Sequence, residues 1–233
     1  MNQIISQHGW GLDKNIWNAF KKQSQKIGWQ WQDNERGYFS QKSENLQWLN
    51  SSSSSAKILI CHSLGTHLLE SKIVLEATHI VLINSFNNFI PNNSDRKLIL
   101  KSLKRMEQKI KNNEIEKLIE DFLVRSFMPN PVETHFKDFF KSNNLIVNHR
   151  LLLNDLNELY IENRDVKLFP DKSKLLLIQS KNDFILNAES HIDFVSFLKE
   201  SQCKMPSIIE LEKQGHILTN INLIKIIKDW MSE

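Results

Sequence analysis

The sequence predicts an α/β protein built on a mostly parallel β-sheet flanked by helices. Short runs rich in Ile, Leu and Val alternate along the chain with amphipathic segments, and this alternation is typical of βαβ units. Apart from Lys57, the run AKILIC is continuously apolar, as expected of a parallel strand that is covered on both faces. The middle of the chain has helical patterns only, which predicts a helical insertion between two strands of the sheet.

The first part of the predicted core spans residues 1–86. Its strands are QIIS, GWQWQD, AKILIC and THIVLINS. One helix is DKNIWNAFKKQSQKI, where Ile16, Ala19 and Phe20 recur at helical spacing, and the other is SLGTHLLESKIV. The five serines at 51–55 form a polar linker that is too short to separate domains.

The predicted insertion is a helical cap that spans residues 87–168. Its helical segments are DRKLILKSLKRMEQKIKNNEIEKLIEDFLVRSF, VETHFKDFFKSNN and HRLLLNDLNELYI. The sheet resumes in the second part of the core, residues 169–233, with the strands SKLLLIQS and PSIIELE and the helices AESHIDFVSFLKE and LTNINLIKIIKDWM. The chain is therefore predicted to form one core interrupted by one cap.

The composition is close to that of ordinary globular proteins. The 233 residues suffice for one large core, and the net charge of +3 is too small to predict nucleic-acid binding by itself. Cys61 and Cys203 have no metal-type spacing and are too few for a disulfide framework. The sequence shows no signal-peptide pattern and no apolar run near the ~20 residues of a membrane span. We therefore expect a cytoplasmic monomer that binds no metal, cofactor, nucleic acid or membrane.

Ser63 lies where the apolar run ILIC gives way to the sequence HSLG. A strand, a sharp turn with a small residue and then a helix form the context of a nucleophilic serine on a strained turn, and Gly65 supplies the small residue. A serine at this point is equally typical of an ordinary helix N-cap. The local pattern alone leaves both interpretations open.

Two later residues favour the nucleophile. A catalytic serine needs a base, and the base needs an acid that orients it. Asp183 follows the predicted strand SKLLLIQS, and His216 follows PSIIELE. The carboxyl ends of parallel strands meet at one edge of a sheet, where open α/β sheets bind their ligands. The chain order Ser63, Asp183, His216 therefore predicts a catalytic triad.

Structural roles are expected for the other histidines. His62 and His67 flank Ser63, and their side chains should point away from it. His191 is expected on the surface of a helix.

The oxyanion of a tetrahedral intermediate needs two hydrogen-bond donors. The backbone N–H of Leu64, directly after Ser63 at a helix N-terminus, is one candidate. The loop HGWG follows the first strand, and its glycines allow backbone N–H groups to turn inward. The N–H of Trp10 is therefore the second candidate, although the same letters also fit a plain glycine turn.

Together these segments resemble the α/β-hydrolase superfamily. HGWGLDKNIW, CHSLG, SKNDFIL and KQGHIL are similar, in order, to its oxyanion loop, nucleophile turn, acid turn and histidine turn, over nearly the whole chain. Within the superfamily, the chain resembles the pimeloyl-[acyl-carrier protein] methyl ester esterases of biotin synthesis. Those enzymes have a similar H-G-W-G-L-x-x-x-x-W start, an S-L-G turn and a cap segment like LLLNDLNELYIENRDV.

The resemblance implies an activity and a partner. The activity is hydrolysis of the methyl ester of pimeloyl-acyl-carrier protein, and the partner is the acyl-carrier protein itself. By resemblance, Ser63 attacks the ester, His216 shuttles the proton and Asp183 orients His216. The N–H groups of Trp10 and Leu64 would bind the oxyanion.

The chain also departs from that family. Cys61 replaces the first glycine of the nucleophile turn, and Thr66 replaces a glycine that often follows it. If the turn forms, Cys61 should be a buried strand-end residue and not the nucleophile. The family's first two antiparallel strands have no counterpart here, which predicts a smaller sheet. Asp121 stands where the family's cap tends to have an arginine for the carrier protein.

The insertion is rich in positive charge. Seven basic residues between Arg96 and Lys111 are opposed only by Glu107. Such a run is typical of a solvated helix face, and it would also steer an acidic carrier protein toward the cap. The candidate carrier-protein contacts are Arg96, Lys97, Lys101, Lys104, Arg105, Lys117, Lys137 and Lys141.

Two other functions fit the same sequence. Cap shape rather than the triad sets specificity, so a thioesterase, a small-acyl esterase or a lyase of the same fold is one alternative. The second alternative is a degenerate hydrolase fold that acts as a non-catalytic binding module, because the serine turn lacks its first glycine.

Overall fold

A computed structural model of the protein describes residues 1–49, 55–137, 146–162, 169–201 and 205–233, apart from the side chains of residues 135 and 137. Six strands in these ranges form one sheet in the order β2-β1-β3-β4-β5-β6, and all neighbouring pairs are parallel. The strands are β1 (Gln3–Gln7), β2 (Gln30–Asn34), β3 (Lys57–His62), β4 (His79–Ile83), β5 (Lys174–Ser180) and β6 (Ser207–Leu211). The predicted parallel sheet is therefore confirmed.

Helices lie on both faces of the sheet. They are α1 (Asn18–Lys26), α2 (Ser71–Leu75), α3 (Arg96–Lys111), α4 (Ile115–Phe127), α5 (Thr134–Lys137), α6 (His149–Asn157), α7 (Ala188–Ser201) and α8 (Leu223–Met231). None of the helices in the described ranges is long and apolar enough to cross a membrane. The predicted linker up to residue 54, Cys203, and the segment VETHFKDFFKSNN beyond residue 137 lie outside the described residues.

Burial on both faces explains the continuous apolar run of β3. Successive side chains of a strand point to opposite faces of its sheet. Ile58 and Ile60 join one apolar cluster with residues of α1 and α8, whereas Leu59 and Cys61 join a second cluster with residues of α2 and α7. All four side chains are fully buried. Because neither face of this strand meets water, no polar alternation appears in its sequence.

The parallel register brings the carboxyl ends of the strands to one edge of the sheet. His62 at the end of β3 pairs with Ile83 at the end of β4, and Ser180 at the end of β5 pairs with Leu211 at the end of β6. The loops that follow these four strands therefore lie side by side. The three candidate triad residues lie in three of these loops.

The prediction of one continuous helix over SLGTHLLESKIV is wrong. The structure has a 3-10 helix at Ser63–His67, and α2 begins only after a break. Two contacts hold the tight turn: Thr66 Oγ1 donates to Ser85 Oγ (2.9 Å), and His67 Nε2 donates to the Phe86 carbonyl (2.7 Å). Both side chains tie the turn to the loop after β4, and a regular α-helix would carry them away from that loop.

The helices between β4 and β5 form a cap that shares its apolar interior with the core. Helix α3 packs against both α4 and α6. The buried residues Leu103, Leu118 and Leu152 of these three helices belong to the same apolar cluster as Ile58 and Ile60 of β3. The exact division of the chain at residues 87 and 168 stays a prediction.

A buried ionic cluster also joins the cap to the core. Arg36, in the loop after β2, donates from Nε and Nη2 to the two carboxylate oxygens of Asp155 on α6 (2.6 and 2.7 Å). Tyr38 Oη donates to the same carboxylate (2.6 Å). The Asp155 side chain is only 4% exposed, so these donors replace its water. Trp10 Nε1 adds a further link to α6 by donating to the Leu152 carbonyl (2.8 Å).

Replacing Arg36 should destabilise the fold strongly. Arg36→Met should lower the free energy of unfolding by about 3–5 kcal/mol, because the buried Asp155 carboxylate loses its charged partner. Urea denaturation measures this change. Arg96→Met is the matched control, since Arg96 pairs with Glu162 on the surface of the cap, and it should leave the urea midpoint nearly unchanged. Equal urea midpoints for the two variants would contradict a stabilising role of the buried Arg36–Asp155 ion pair.

Candidate active site

Ser63 has a strained backbone directly after β3. Its φ of +54° lies in the left-handed region that non-glycine residues rarely adopt, and such a conformation costs about 1–3 kcal/mol. The N-cap of the 3-10 helix is His62, whose backbone is extended, so Ser63 is the first helical residue. The strained turn is therefore confirmed, and the interpretation of Ser63 as an ordinary N-cap is wrong.

Close approach of the end of β1 explains why residue 65 is a glycine. A Cβ on Gly65 would lie 2.7 Å from the backbone oxygens of both Gln7 and His8, so no side chain fits there. Cys61 is fully buried in the core, and its burial raises the pKa of the thiol far above the usual range. The expectation that Cys61 is a buried strand-end residue is confirmed. A thiol that stays protonated is a poor nucleophile.

Asp183 lies in the turn between β5 and α7 and accepts three hydrogen bonds. Its Oδ1 accepts from the N–H groups of Ile185 (2.8 Å) and Leu186 (2.9 Å), and its Oδ2 accepts from His216 Nδ1 (2.7 Å). The side chain is only 2% exposed. Burial would raise the pKa of this carboxyl, but the charge of protonated His216 and the hydrogen bonds hold the pKa well below its usual range. Asp183 is therefore ionised at neutral pH.

The contact with Asp183 sets the tautomer of His216, which follows β6. A carboxylate only accepts hydrogen bonds, so the proton of the neutral ring is on Nδ1 and Nε2 carries a lone pair. Nε2 is buried and has no hydrogen-bond partner among the described residues. The structure therefore brings Asp183 and His216 together, whereas the bond from Ser63 Oγ to His216 Nε2 is not formed. Catalytic hydrogen bonds of this kind are often long until substrate binds.

The loop HGWG lies directly against Ser63. A Cβ on Gly9 would be 2.9 Å from Ser63 Cβ, so only glycine allows this approach. Trp10 follows in the same loop and is buried. Leu64, also buried, is the second residue of the 3-10 helix, where backbone N–H groups have no intrahelical acceptor. Both candidate oxyanion donors therefore belong to segments that adjoin Ser63.

The expectation that His62 points away from the site is wrong. Its ring packs edge-on against the His216 ring, with centroids 4.7 Å apart, and its Nε2 donates to the His216 carbonyl (2.8 Å). Burial, helped by the nearby charge of His216, lowers the pKa of His62 to about 3, so this ring is neutral. The physical reason is strand alternation, because His62 points to the sheet face opposite Cys61. The ring of Trp17 lies on that same face, 6.5 Å from His62.

His191 is also placed differently from the expectation. Its side chain is 12% exposed, and its Nε2 lies 3.8 Å from Asp183 Oδ2. Both ring nitrogens are buried without a hydrogen-bond partner in the described part of the chain.

A cavity of about 590 Å³ between β5, β6 and α7 is lined by Asp183 and His191 but not by Ser63 or His216. This cavity therefore does not reach Ser63.

The candidate carrier-protein contacts differ in their ion pairing. Arg96 pairs with Glu162 (2.5 Å) and Lys117 with Asp121 (2.7 Å). Four other cations are exposed on α3 and form no ion pair with any residue in the described ranges, namely Lys97, Lys101, Lys104 and Arg105. The two remaining candidate contacts are Lys137 and Lys141. The side chain of Lys137 and the whole of Lys141 lie outside the described residues.

Solved structures match this chain over nearly its whole length. An esterase from Exiguobacterium antarcticum has a TM-score of 0.67 and 13% identity, with 100% of this chain and 90% of that chain covered. For a bromoperoxidase from Bacillus anthracis the TM-score is 0.70 and the identity 13%, with 99% and 90% covered. An enol-lactonase from Burkholderia xenovorans LB400 has a TM-score of 0.65 and 12% identity, with 100% of this chain and 92% of that chain covered.

These similarities define the class of fold. The chain has the α/β-hydrolase fold, as its parallel sheet and flanking helices predict. No protein-family model and no curated protein matches the sequence. At such low identities the likeness shows the fold alone. A shared fold does not determine the reaction, which depends on the residues of the site.

Asp183 should make the stability of the protein depend on acid pH. Its pKa is lower in the folded protein than the ordinary value of about 3.9 in an unfolded chain. The carboxylate therefore stabilises the fold above about pH 4, and this contribution is lost as the pH falls further. In urea titrations between about pH 5 and pH 3, the free energy of unfolding should fall more steeply for wild type than for Asp183→Asn.

Asp171→Asn is the control, because it removes one carboxylate from the surface. In this variant the free energy of unfolding should fall with decreasing pH as steeply as in wild type. Parallel curves for wild type and Asp183→Asn would contradict a depressed pKa at Asp183.

Proposed function

We propose that the protein is a serine carboxylesterase that hydrolyses the methyl ester of pimeloyl-acyl-carrier protein in biotin synthesis. One observation carries the esterase part of the proposal. The buried Asp183–His216 pair leaves His216 Nε2 with a lone pair and without a hydrogen-bond partner in the described part of the chain, at the same sheet edge as the strained Ser63. Ser63 is then the nucleophile, His216 the general base and Asp183 the acid that orients and stabilises the base.

The first half of the reaction forms an acyl-enzyme. Ser63 Oγ attacks the ester carbonyl carbon while His216 Nε2 takes the hydroxyl proton. Asp183 stays ionised and stabilises the resulting imidazolium. The bond from the carbonyl carbon to the methoxy oxygen then breaks, and His216 gives its proton to that oxygen. Methanol leaves, and the acyl group stays on Ser63.

The second half releases the acid. Water attacks the acyl carbon while His216 Nε2 takes one of its protons. The bond to Ser63 Oγ breaks, and His216 returns the proton to that oxygen. The product is the free carboxylic acid at the distal end of the acyl chain, and the enzyme is restored.

The tetrahedral intermediates need fixed donors for their negative oxygen. In this proposal the backbone N–H groups of Trp10 and Leu64 supply them, since the loop of Trp10 lies against Ser63 and Leu64 follows it. Removing one such donor typically costs a factor of about 10²–10³ in kcat. Trp10 is also anchored to the cap through its indole N–H, which limits movement of this loop.

The substrate class is supported by the resemblance and by the charge of the cap. The start HGWGLDKNIW and the cap segment LLLNDLNELYIENRDV resemble the methyl ester esterases of biotin synthesis. Lys97, Lys101, Lys104 and Arg105, which pair with no acidic residue in the described ranges, form an exposed positive face on α3 that suits an acidic carrier protein. Such a face raises association rates through a field screened over roughly 8 Å at physiological salt.

Burial of the site favours a second candidate, a small-acyl esterase of the same mechanism. Ser63 is only 7% exposed and His216 only 1%. A short ester needs less space beneath the cap than an acyl chain carried on a protein. Comparison of kcat/KM for short p-nitrophenyl esters, acyl thioesters and the pimeloyl methyl ester separates the candidates.

Loss of Ser63 should abolish esterase activity. Ser63→Ala should lower kcat/KM for a short p-nitrophenyl ester by a factor on the order of 10⁶, because a triad acts as a unit. Cys61→Ala is the control within the same turn and should keep its activity within a few-fold, since the Cys61 thiol is buried and protonated. Retained activity in Ser63→Ala would refute the mechanism.

The narrow substrate should show in growth and in carrier-protein kinetics. Wild type should restore growth of a biotin auxotroph that lacks its methyl ester esterase. Lys101→Glu/Lys104→Glu should raise KM for the carrier-protein substrate about tenfold at low salt, because two attractive charges become repulsive. Its kcat for the p-nitrophenyl ester should not change.

The control for this charge reversal is Lys22→Glu/Lys26→Glu. It alters two exposed lysines of α1, a helix that lies outside the cap. Equal KM values for the two double variants would contradict docking on α3. Failure of an expressed, esterase-active wild type to rescue growth would overturn the biotin assignment and leave the small-acyl esterase.

A further inference from the structure

The main-chain carbonyl of His216 accepts two side-chain hydrogen bonds. His62 Nε2 donates to it from the end of β3 (2.8 Å), and Asn84 Nδ2 donates to it from the end of β4 (2.8 Å). Both donors are almost fully buried, at 2% and 0% exposure. Two buried donors on one carbonyl hold the backbone of the histidine turn against two strands of the sheet.

Both ends of the Asn84 side-chain amide form hydrogen bonds. Its backbone is left-handed, with a φ of +44°, at the point where β4 ends. Its Oδ1 accepts from the Ser180 N–H (2.8 Å), and its Nδ2 also contacts Ser180 Oγ (2.9 Å) and the Gly215 carbonyl (3.2 Å). The side chain therefore links the end of β5 to the histidine turn. An amide is needed for this, because one end must accept and the other must donate.

His62 combines its hydrogen bond with packing on the imidazole of His216. A carbonyl only accepts, so the neutral His62 ring carries its proton on Nε2. The two rings meet edge-on with centroids 4.7 Å apart. On the Nδ1 side of His62, a Cβ on Gly9 would be 3.2 Å away. His62 therefore lies between the oxyanion loop and the histidine turn.

We infer that His62 and Asn84 are positioning residues for the reaction. They act through the main chain of His216 and so hold its imidazole within reach of both Asp183 and Ser63. The inference rests on the proposed function, because it requires His216 to be the general base. A misplacement of about 1 Å in such a site can cost a factor of about 10² in rate, so these bonds have a kinetic role beyond packing.

His62→Gln and His62→Asn form a matched pair for the test. The amide nitrogen of Gln reaches the place of histidine Nε2, whereas that of Asn reaches only the place of Nδ1. His62→Gln should therefore keep kcat for a short p-nitrophenyl ester within about fivefold of wild type, and His62→Asn should lose about 10–100-fold. KM should change less than about twofold in both, because neither residue is proposed to bind substrate.

Asn84→Asp tests the second donor. The new carboxylate keeps the acceptor for Ser180 N–H but replaces the donor toward His216 with oxygen, so kcat should again fall about 10–100-fold with little change in KM. Asn113→Asp is its control, since Asn113 is an exposed left-handed asparagine between α3 and α4, and it should keep wild-type kcat.

Thermal melts of all four variants separate folding from catalysis, and kcat is compared per folded protein. Equal kcat for His62→Gln and His62→Asn, or wild-type kcat in Asn84→Asp, would overturn the inference. Retained activity in Ser63→Ala would instead refute the proposed function, so the two failures are distinguishable. In addition, the downfield proton resonance of His216 Nδ1–H should persist in His62→Gln and shift or broaden in His62→Asn.

Discussion

The hydrogen bond from His216 Nδ1 to Asp183 Oδ2 is the interaction on which the site depends. It sets the tautomer of His216 and so leaves a lone pair on Nε2, where a base is needed. The bond exists because β5 and β6 are adjacent parallel strands, and the loops after them meet at one edge of the sheet. Burial makes the pair costly to form, and the charge of protonated His216 together with the hydrogen bonds to Asp183 offsets that cost by keeping the carboxylate ionised.

The cap touches this site through hydrogen bonds as well as through apolar packing. Trp10, in the loop HGWG, donates from its indole to the Leu152 carbonyl of α6. Next to His216, the Ile217 N–H donates to the Ser126 carbonyl near the end of α4 (2.9 Å). The loop that holds Trp10 and the turn that holds His216 are therefore both attached to cap helices. If the protein is the proposed esterase, a cap of different shape would alter which acyl group fits, while the same sheet edge would still position Ser63, Asp183 and His216.

The sequence predicts those parts of the molecule that depend on local patterns and chain order. Buried strands appear as apolar runs, and Ser63, Asp183 and His216 are found because each follows such a run. The roles of His62 and Asn84 could not be predicted, since each depends on a hydrogen bond to a main-chain carbonyl more than 100 residues away. The local pattern does not predict the break after His67 for a similar reason, because contacts with the loop after β4 override the helical pattern.

The central claim is that Ser63 becomes nucleophilic because His216, oriented by Asp183, takes its proton. Labelling with a fluorophosphonate probe, followed by mass spectrometry of the modified peptide, tests this claim most directly. The account predicts one label per molecule at Ser63 in wild type and a large loss of labelling rate in His216→Ala. A label at another residue, or a rate at Ser63 that does not depend on His216, would contradict it.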